Sequence, residues 1–385
     1  MNPKSVQAKP RILLDLLTYS PTDGGFTTAL EDLLLCASKI EEFEFSILYN
    51  KHYRGVFQDW PFEKIEVRIF RRKLRYVASL IVVPWILKKH RFDGLHAETS
   101  LLSPLLKLPT SMRVHDLYGL MNPQAGRSGI LHRVFDNLRD SFFVKSIRRS
   151  KVVSVGTECT RRDILKLTDR KGEILRVPYA VNFPDPQPAK RAWPDSSEPI
   201  QLLCVGSVVP RKNLGLLFEA LPKLNRPWRL NVVGNRWQDI KGVNQDSVDS
   251  RVRFLGFVSD SDLRKLYETS HLLISPSLYE GFGFPAAEAI ARGCLAVTSS
   301  GSAYDEYVPE ECRFDPRNSD DLAAIVNTLD AERYARMLEK SQLSVRRYTR
   351  ARQIAGYRAV FHRLFQEGKV GKGTSARAAA VNDRL

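Results

Sequence analysis

Residues 272–298 constrain the fold more than any other stretch. Leu272-Leu273-Ile274-Ser275 is a short apolar run stopped by Pro276, too brief for a helix and suited to a strand buried on both faces. Gly281 and Gly283 follow in a turn, where the missing side chains let the backbone come close to another group. A helix then begins near Phe284, with Pro285 in its first turn and Gly293 at its end, positions that suit each residue. Cys294 to Thr298 reads as the next strand. Strand, glycine turn, helix and strand make one parallel β-α-β unit.

The same rhythm runs through the rest of the chain. Strands are predicted at Arg11–Leu17, Phe43–Tyr49, Ile65–Ile69, Phe92–Ala97, Ser111–Leu117, Lys151–Thr157 and Glu173–Asn182. Gly24-Gly25 turns the first of them into a helix over Phe26–Ser38, with Phe26, Leu30, Leu33, Leu34 and Ala37 on one face. A second series has strands at Ile200–Gly206, Arg229–Gly234, Val252–Gly256 and His271–Ser275, and a helix over Asn213–Leu224. Between the two series, Phe183–Pro199 holds five prolines among polar residues, the composition of a linker. The expected architecture is α/β, two Rossmann-like doubly wound parallel sheets facing across a cleft. The expected bounds are a first domain at 1–183, a linker at 184–199 and a second domain at 200–345. A closing helix at 346–366 and a disordered tail at 367–385 complete them.

Charge narrows the partners. The net charge is +16, and the eight Lys/Arg between Glu66 and Asp93 meet no acid. They are Arg68, Arg71, Arg72, Lys73, Arg75, Lys88, Lys89 and Arg91, flanking the apolar run Tyr76–Leu87. A second cluster is Lys145, Arg148, Arg149, Lys151, Arg161 and Arg162. Such clusters suit an anionic membrane surface or a lipid-linked diphosphate, or they are the solvated ends of core helices. Nucleic acid is not expected, because no recognisable module or interleaved stacking aromatics accompanies them. The five cysteines are scattered without metal-ligand spacing and read as reduced core thiols. Met1–Arg11 lacks an apolar signal core and no run reaches spanning length. The expectation is a cytoplasmic protein, peripheral on the inner face of the plasma membrane if the basic clusters bind lipid.

Two carboxylates bracket the glycine turn, Glu280 before it and Glu288 inside the helix. Alone, they read as solvated surface residues, the usual place of Glu. The whole string Glu280-Gly281-Phe282-Gly283-Phe284-Pro285, with Glu288-Ala289 beyond it, resembles the signature of the retaining glycosyltransferases of GT-B fold, family four (group 1 glycosyltransferases). Pro210-Arg211-Lys212-Asn213-Leu214 resembles the family's donor-diphosphate segment, and His115-Asp116 a pair found in its mannosyl- and rhamnosyl-type members. The resemblance is sharp from about Ile200 to Asp321. It departs at Ser207, where many members carry Arg, and at Tyr304-Asp305-Glu306, where Leu-Pro-Glu is usual.

The resemblance implies transfer of a sugar, of mannose or rhamnose type, from a nucleotide-diphosphate donor to a hydroxyl. The acceptor would be a glycan or a polyprenyl-diphosphate-linked precursor of bacterial surface polysaccharide. It assigns His115 and Glu280 to the sugar, and Gly206, Ser207, Arg211 and Lys212 to the diphosphate. Gly281, Phe282, Gly283 and Phe284 would supply amides, Glu288 would hold the ribose, and Gly24 and Gly25 would line the phosphate or acceptor side. No cofactor or metal is expected, and a GDP-sugar is favoured. A GT-B sugar-nucleotide epimerase, a phosphorylase-like enzyme and a catalytically silent membrane scaffold remain as alternatives.

Overall fold

The computed structural model describes residues 8–21, 24–69, 75–98, 100–122, 130–184, 191–207, 209–234 and 249–366. They build two wholly parallel sheets. The first holds β1 (Arg11–Asp15), β2 (Glu44–Asn50), β3 (Glu63–Val67), β4 (Gly94–Glu98), β5 (Thr110–Val114), β6 (Val152–Val155) and β7 (Ile174–Arg176), in the order β3-β2-β1-β4-β5-β6-β7. The second holds β8 (Ile200–Val205), β9 (Trp228–Val233), β10 (Val252–Gly256), β11 (Leu272–Ser275), β12 (Leu295–Ser299) and β13 (Arg313–Phe314), in the order β10-β9-β8-β11-β12-β13. Both sheets therefore reverse direction next to their first strand, β1 beside β4 and β8 beside β11. That reversal opens a crevice at the carboxyl ends of the strands, where ligands of doubly wound folds bind.

The helices of the first half are α1 (Gly25–Ala37), α2 (Arg54–Phe57), α3 (Arg75–Lys89), α4 (Tyr118–Met121), α5 (Ile130–Arg149) and α6 (Glu158–Thr168). Those of the second are α7 (Leu214–Ala220), α8 (Asp260–Thr269), α9 (Phe284–Ala291), α10 (Ser319–Asn327), α11 (Ala331–Val345) and α12 (Arg350–Phe365). Every residue of β4, β5, β11 and β12 is buried, as helices on both faces of a sheet require.

Some boundaries differ from the sequence reading, each for a local reason. The strand expected over Glu173–Asn182 is only Ile174–Arg176, because Pro178 removes a ladder donor. The helix expected over Asn213–Leu224 shortens to α7 and passes into a tight turn at Leu221–Lys223, where Pro222 falls. Asn213 caps α7 in the left-handed region, with φ 52°. The expected linker is partly fastened. Trp193 packs against Tyr334 at 5.1 Å and lies under the Arg226 guanidinium at 5.3 Å. Residues 185–190 of that linker, Arg71 to Lys73 and the expected tail at 367–385 lie outside the described residues.

The last helix, α12, leaves the second domain and packs on the first. Tyr357, Val360 and Phe361 join the core of α1 and β2, and Arg350 pairs with Asp32 at 2.5 Å. The domains are also tied through Glu306. Its Oε1 accepts from the Glu158 and Cys159 amides at the start of α6, at 2.7 and 3.2 Å, and its Oε2 meets Arg176 at 2.5 Å. A carboxylate of one domain thus caps a helix of the other. All five cysteines are free and buried, and burial pushes the Cys204 thiol up to about 12. Among the described residues, no helix is long and apolar enough to cross a membrane.

Candidate active site

The site assembles where β8 and β11 diverge. After β8 the chain turns at Gly206, φ 145°, beneath the Lys212 side chain. A Cβ on Gly206 would lie 3.0 Å from Lys212 Cε, and one on neighbouring Gly234 would lie 2.2 Å from the Gly206 carbonyl oxygen. Only glycine lets these two strand ends and the lysine occupy one place. The turn Pro210–Lys212 then delivers Arg211 and Lys212 side by side.

Opposite them, β11 leads into Glu280. Lys212 Nζ and Arg211 Nη1 both reach Glu280 Oε1 at 2.8 Å. Arg211 Nη1 also donates to the Tyr279 carbonyl at 2.7 Å. Burial works against the Glu280 charge, but Lys212 and then Arg211 outweigh it and hold its pKa below the ordinary value. The arrangement is a buried anion held between two cations.

Beyond Glu280, Gly283 takes φ 84° as it caps α9. A Cβ there would strike Tyr304, whose hydroxyl bonds Ser275 at 2.6 Å. Among the described residues, none accepts a hydrogen bond from the backbone N–H groups of Gly281, Phe282, Gly283 or Phe284. The Phe282 ring is not part of an open surface. It is buried against Tyr179, Phe284, Tyr307 and Tyr348, with centroids 4.7–5.5 Å away. These four donors stand at the start of α9, where helix N–H groups are left without intrahelical partners.

The first domain closes on this turn. A Cβ on Gly281 would stand 2.2 Å from the His115 carbonyl oxygen, so glycine is what allows the contact. Thr157, the cap of α6, also donates its hydroxyl to the Gly281 carbonyl at 2.9 Å. Gly25 abuts the Phe284 ring, at 3.0 Å from a built Cβ. Gly24-Gly25, His115 and the 280–284 turn are therefore one neighbourhood.

Three sequence candidates stand differently from the simple expectation. His115 does not present a bare ring to the cleft. Its Nε2 lies 2.7 Å from Glu98 Oε2 and its Nδ1 2.8 Å from the Tyr179 hydroxyl. Glu288 sits outside the Lys212–Glu280 cluster, its Oε2 accepting from Tyr267 at 3.0 Å, and burial raises its pKa. Ser207 is exposed at the rim.

Sequence reasoning passed over Glu98 and Tyr267, and read Tyr179 only as part of the turn Pro178–Asn182, which departs from the family pattern. Glu98 carried one usable signal, an acid at the carboxyl edge of a buried strand. Tyr267 carried none, since a tyrosine in a helix usually packs.

Residues 199–331, most of the second domain, match the family model described as glycosyl transferases group 1. The chain also aligns with the O-antigen chain mannosyltransferase B of Escherichia coli. That alignment is 31% identical over 204 residues, 50% of this chain and 52% of the relative. The chain thus spans about half the length of this curated relative.

Solved structures extend the likeness of fold to nearly the whole chain. The sucrose-phosphate synthase of Thermosynechococcus elongatus superposes with a TM-score of 0.74 at 19% identity, over 93% of this chain and 99% of that one. WaaG, a glycosyltransferase involved in lipopolysaccharide biosynthesis, superposes at 0.68 and 20% identity, over 91% and 99%. Together the two parallel-sheet domains have the GT-B fold of these structures.

Proposed function

We propose that the protein is a retaining hexosyltransferase. It takes a sugar of mannose or rhamnose type from a nucleoside-diphosphate donor, GDP-sugars first, and gives it to a hydroxyl of a glycan or polyprenyl-diphosphate-linked acceptor. One observation carries this reading. Lys212 and Arg211 converge on Glu280 beside four unclaimed amides, at the sheet's reversal and facing the first domain. The named relatives in O-antigen and lipopolysaccharide synthesis support bacterial surface polysaccharide as the destination.

The chemistry follows from the charges. The bond from the anomeric carbon to the diphosphate oxygen breaks, and the acceptor oxygen bonds to that carbon from the same face. The acceptor's proton passes to the departing phosphate oxygen. The leaving diphosphate takes over Lys212 and Arg211 and receives amides of the 281–284 turn, which are fixed before the reaction starts. Glu280, released from its cations, accepts from sugar hydroxyls. Glu288 accepts from the ribose diol, and His115 meets the sugar from the first domain. No metal is required in this scheme.

The same reading puts the enzyme on an anionic membrane. On α3, Val83 and Ile86 face the core while Ile81 and Trp85 are 71% and 57% exposed. Exposed Lys88 and Lys89 follow on the same helix, and exposed Leu105 and Lys107 lie on the adjacent loop. Apolar side chains beside lysines supply the two signals that interfacial binding needs.

The test is a thermal-shift screen with GDP-, UDP-, ADP- and dTDP-sugars, with and without EDTA. A ligand that binds only the folded state raises the melting temperature. A shift by one nucleotide series, unchanged by EDTA, is expected. No shift with any of them would count against a donor site and favour a scaffold.

A further inference from the structure

Glu98 ends β4 and is wholly inaccessible to solvent. Three donors, one from its own strand and two from more distant parts of the chain, meet its carboxylate. His115 Nε2 lies 2.7 Å from Oε2, the Tyr357 hydroxyl 2.9 Å from Oε1, and His96 Nε2 3.3 Å from Oε1. The Arg113 guanidinium stands close by, between the rings of Tyr179 and Tyr357, 4.6 and 5.2 Å from their centroids. Burial opposes the charge on Glu98, but the hydrogen bonds from His115 and then His96 overcome it, so the carboxyl is held well below its usual range. An ionised carboxylate can only accept. Every group facing it must therefore donate.

That requirement fixes the histidine. With Nε2–H given to Glu98, the lone pair of an uncharged ring falls on Nδ1, 2.8 Å from the Tyr179 hydroxyl, which can donate to it. His96 repeats the pattern, its Nδ1 2.8 Å from the Ser111 hydroxyl. Phe26 braces the His115 ring edge-on at 5.2 Å, and the His115 side chain is 14% exposed. One nitrogen is thus anchored on a buried carboxylate, and the other meets a single hydroxyl.

We infer that Glu98 is the positioning residue for His115: by holding Nε2–H it makes Nδ1 the acceptor for a donor-sugar hydroxyl, which displaces Tyr179. This rests on the glycosyltransferase reading above. It also gives α12 a functional consequence. Tyr357 fastens that helix to the same carboxylate, and Gln353 and Arg350 hold it to Asp32. The element that returns from the second domain is therefore tied to the histidine's anchor.

The experiment uses the full chain labelled with ¹⁵N-histidine. Long-range ¹⁵N–¹H spectra report the tautomer of His115, assigned by its loss in His115→Asn. Wild-type protein is expected to show Nε2–H. Glu98→Gln, with its melting temperature measured alongside, is expected to lose that single tautomer. With a donor that the wild type turns over, kcat should fall roughly a hundredfold, as for a misplaced catalytic group, with KM within about threefold. Tyr357→Phe removes only the α12 bond and should keep the Nε2–H tautomer.

An unchanged tautomer and unchanged kcat in Glu98→Gln overturn the inference. Should that variant not fold, the wild-type spectrum decides, since Nδ1–H at His115 is equally fatal. If the wild type turns over no nucleotide sugar, the functional reading fails. The spectra still judge Glu98.

Discussion

Glu280 and Glu98 are both buried carboxylates, one in the loop that follows β11 and one at the carboxyl end of β4, and both have lowered pKa values. Their neighbours differ. Glu280 is held by two side-chain cations, Lys212 and Arg211. Glu98 is held directly by two histidines and a tyrosine. Both cations can also pair with phosphate oxygens, so under the proposed function the Glu280 cluster exchanges partners when a diphosphate arrives. The donors on Glu98 belong to β4, the end of β5 and α12, and have no substitute partner. One carboxylate holds charges in reserve, and the other holds geometry.

The sharpest way to break this contrast is to remove a reserved charge. Lys212→Ala should cost turnover roughly 10²- to 10³-fold, the scale of losing one electrostatic stabiliser of a developing charge. The loss should fall on kcat, because the charge on the diphosphate grows as the bond breaks. A Lys212→Ala protein that folds and keeps wild-type kcat would mean that the cations merely balance Glu280.

A smaller effect, on stability, tests the same cluster from the anion's side. Glu280→Gln leaves Lys212 and Arg211 facing each other without a counter-ion. Breaking a buried pair in this way costs about 3 kcal/mol. Because the folded-state pKa of Glu280 is lowered, its stabilisation is present above the ordinary glutamate value and fades as acid titrates it below that value. Melting temperatures of wild type and variant should therefore differ at pH 7 and converge toward pH 3. Free nucleoside diphosphate should bind the variant more tightly, since both cations are then unengaged. Weaker binding would contradict the exchange of partners.

How much of this was legible follows from chain distance. Arg211, Lys212, the glycine turn and Glu280 stand in short strings, where spacing and residue type carry the signal. The doubly wound order was legible for the same reason, from apolar runs alternating with helical faces. The bond between Glu98 and Tyr357 joins residues 259 apart. Neither has a periodic partner, and a buried acid looks like any other acid in a sequence. His115 was readable as a strand-end histidine, yet its two bonds depend on Glu98 and Tyr179, one on each side of it in the chain. Glu306 was readable only as a departure from the family pattern. Its work is to cap α6 across the domain boundary.

That cap gives the next prediction. Glu306→Ala should destabilise the protein by about 1–2 kcal/mol, the usual cost of a lost helix cap. Denaturant titration would read it as a lower midpoint. Since Glu306 joins the domains without touching the Lys212 cluster, the nucleotide-induced thermal shift should persist. Loss of that shift would make the domain contact part of the donor site.

The mildest effect on the folded protein is expected at α3, where the contrast between fixed and exchangeable contacts reaches the surface. Val83 and Ile86 are core residues, and changing them would test packing alone. Ile81 and Trp85 lie on the open side, so replacing both with serine should alter stability by no more than about 0.5 kcal/mol. Lys89 Nζ stands 5.7 Å from the Trp85 ring centroid, which places charge and apolar surface in one patch. Sedimentation with vesicles of phosphatidylglycerol and phosphatidylcholine separates the two contributions. Wild type should pellet with the anionic vesicles and be released as salt rises, because screening weakens the attraction of exposed lysines. Ile81→Ser with Trp85→Ser should lose pelleting at low salt while nucleotide binding stays intact. Equal pelleting with both lipids would remove the charge argument. Undiminished pelleting of the serine variant would move any membrane contact to another face.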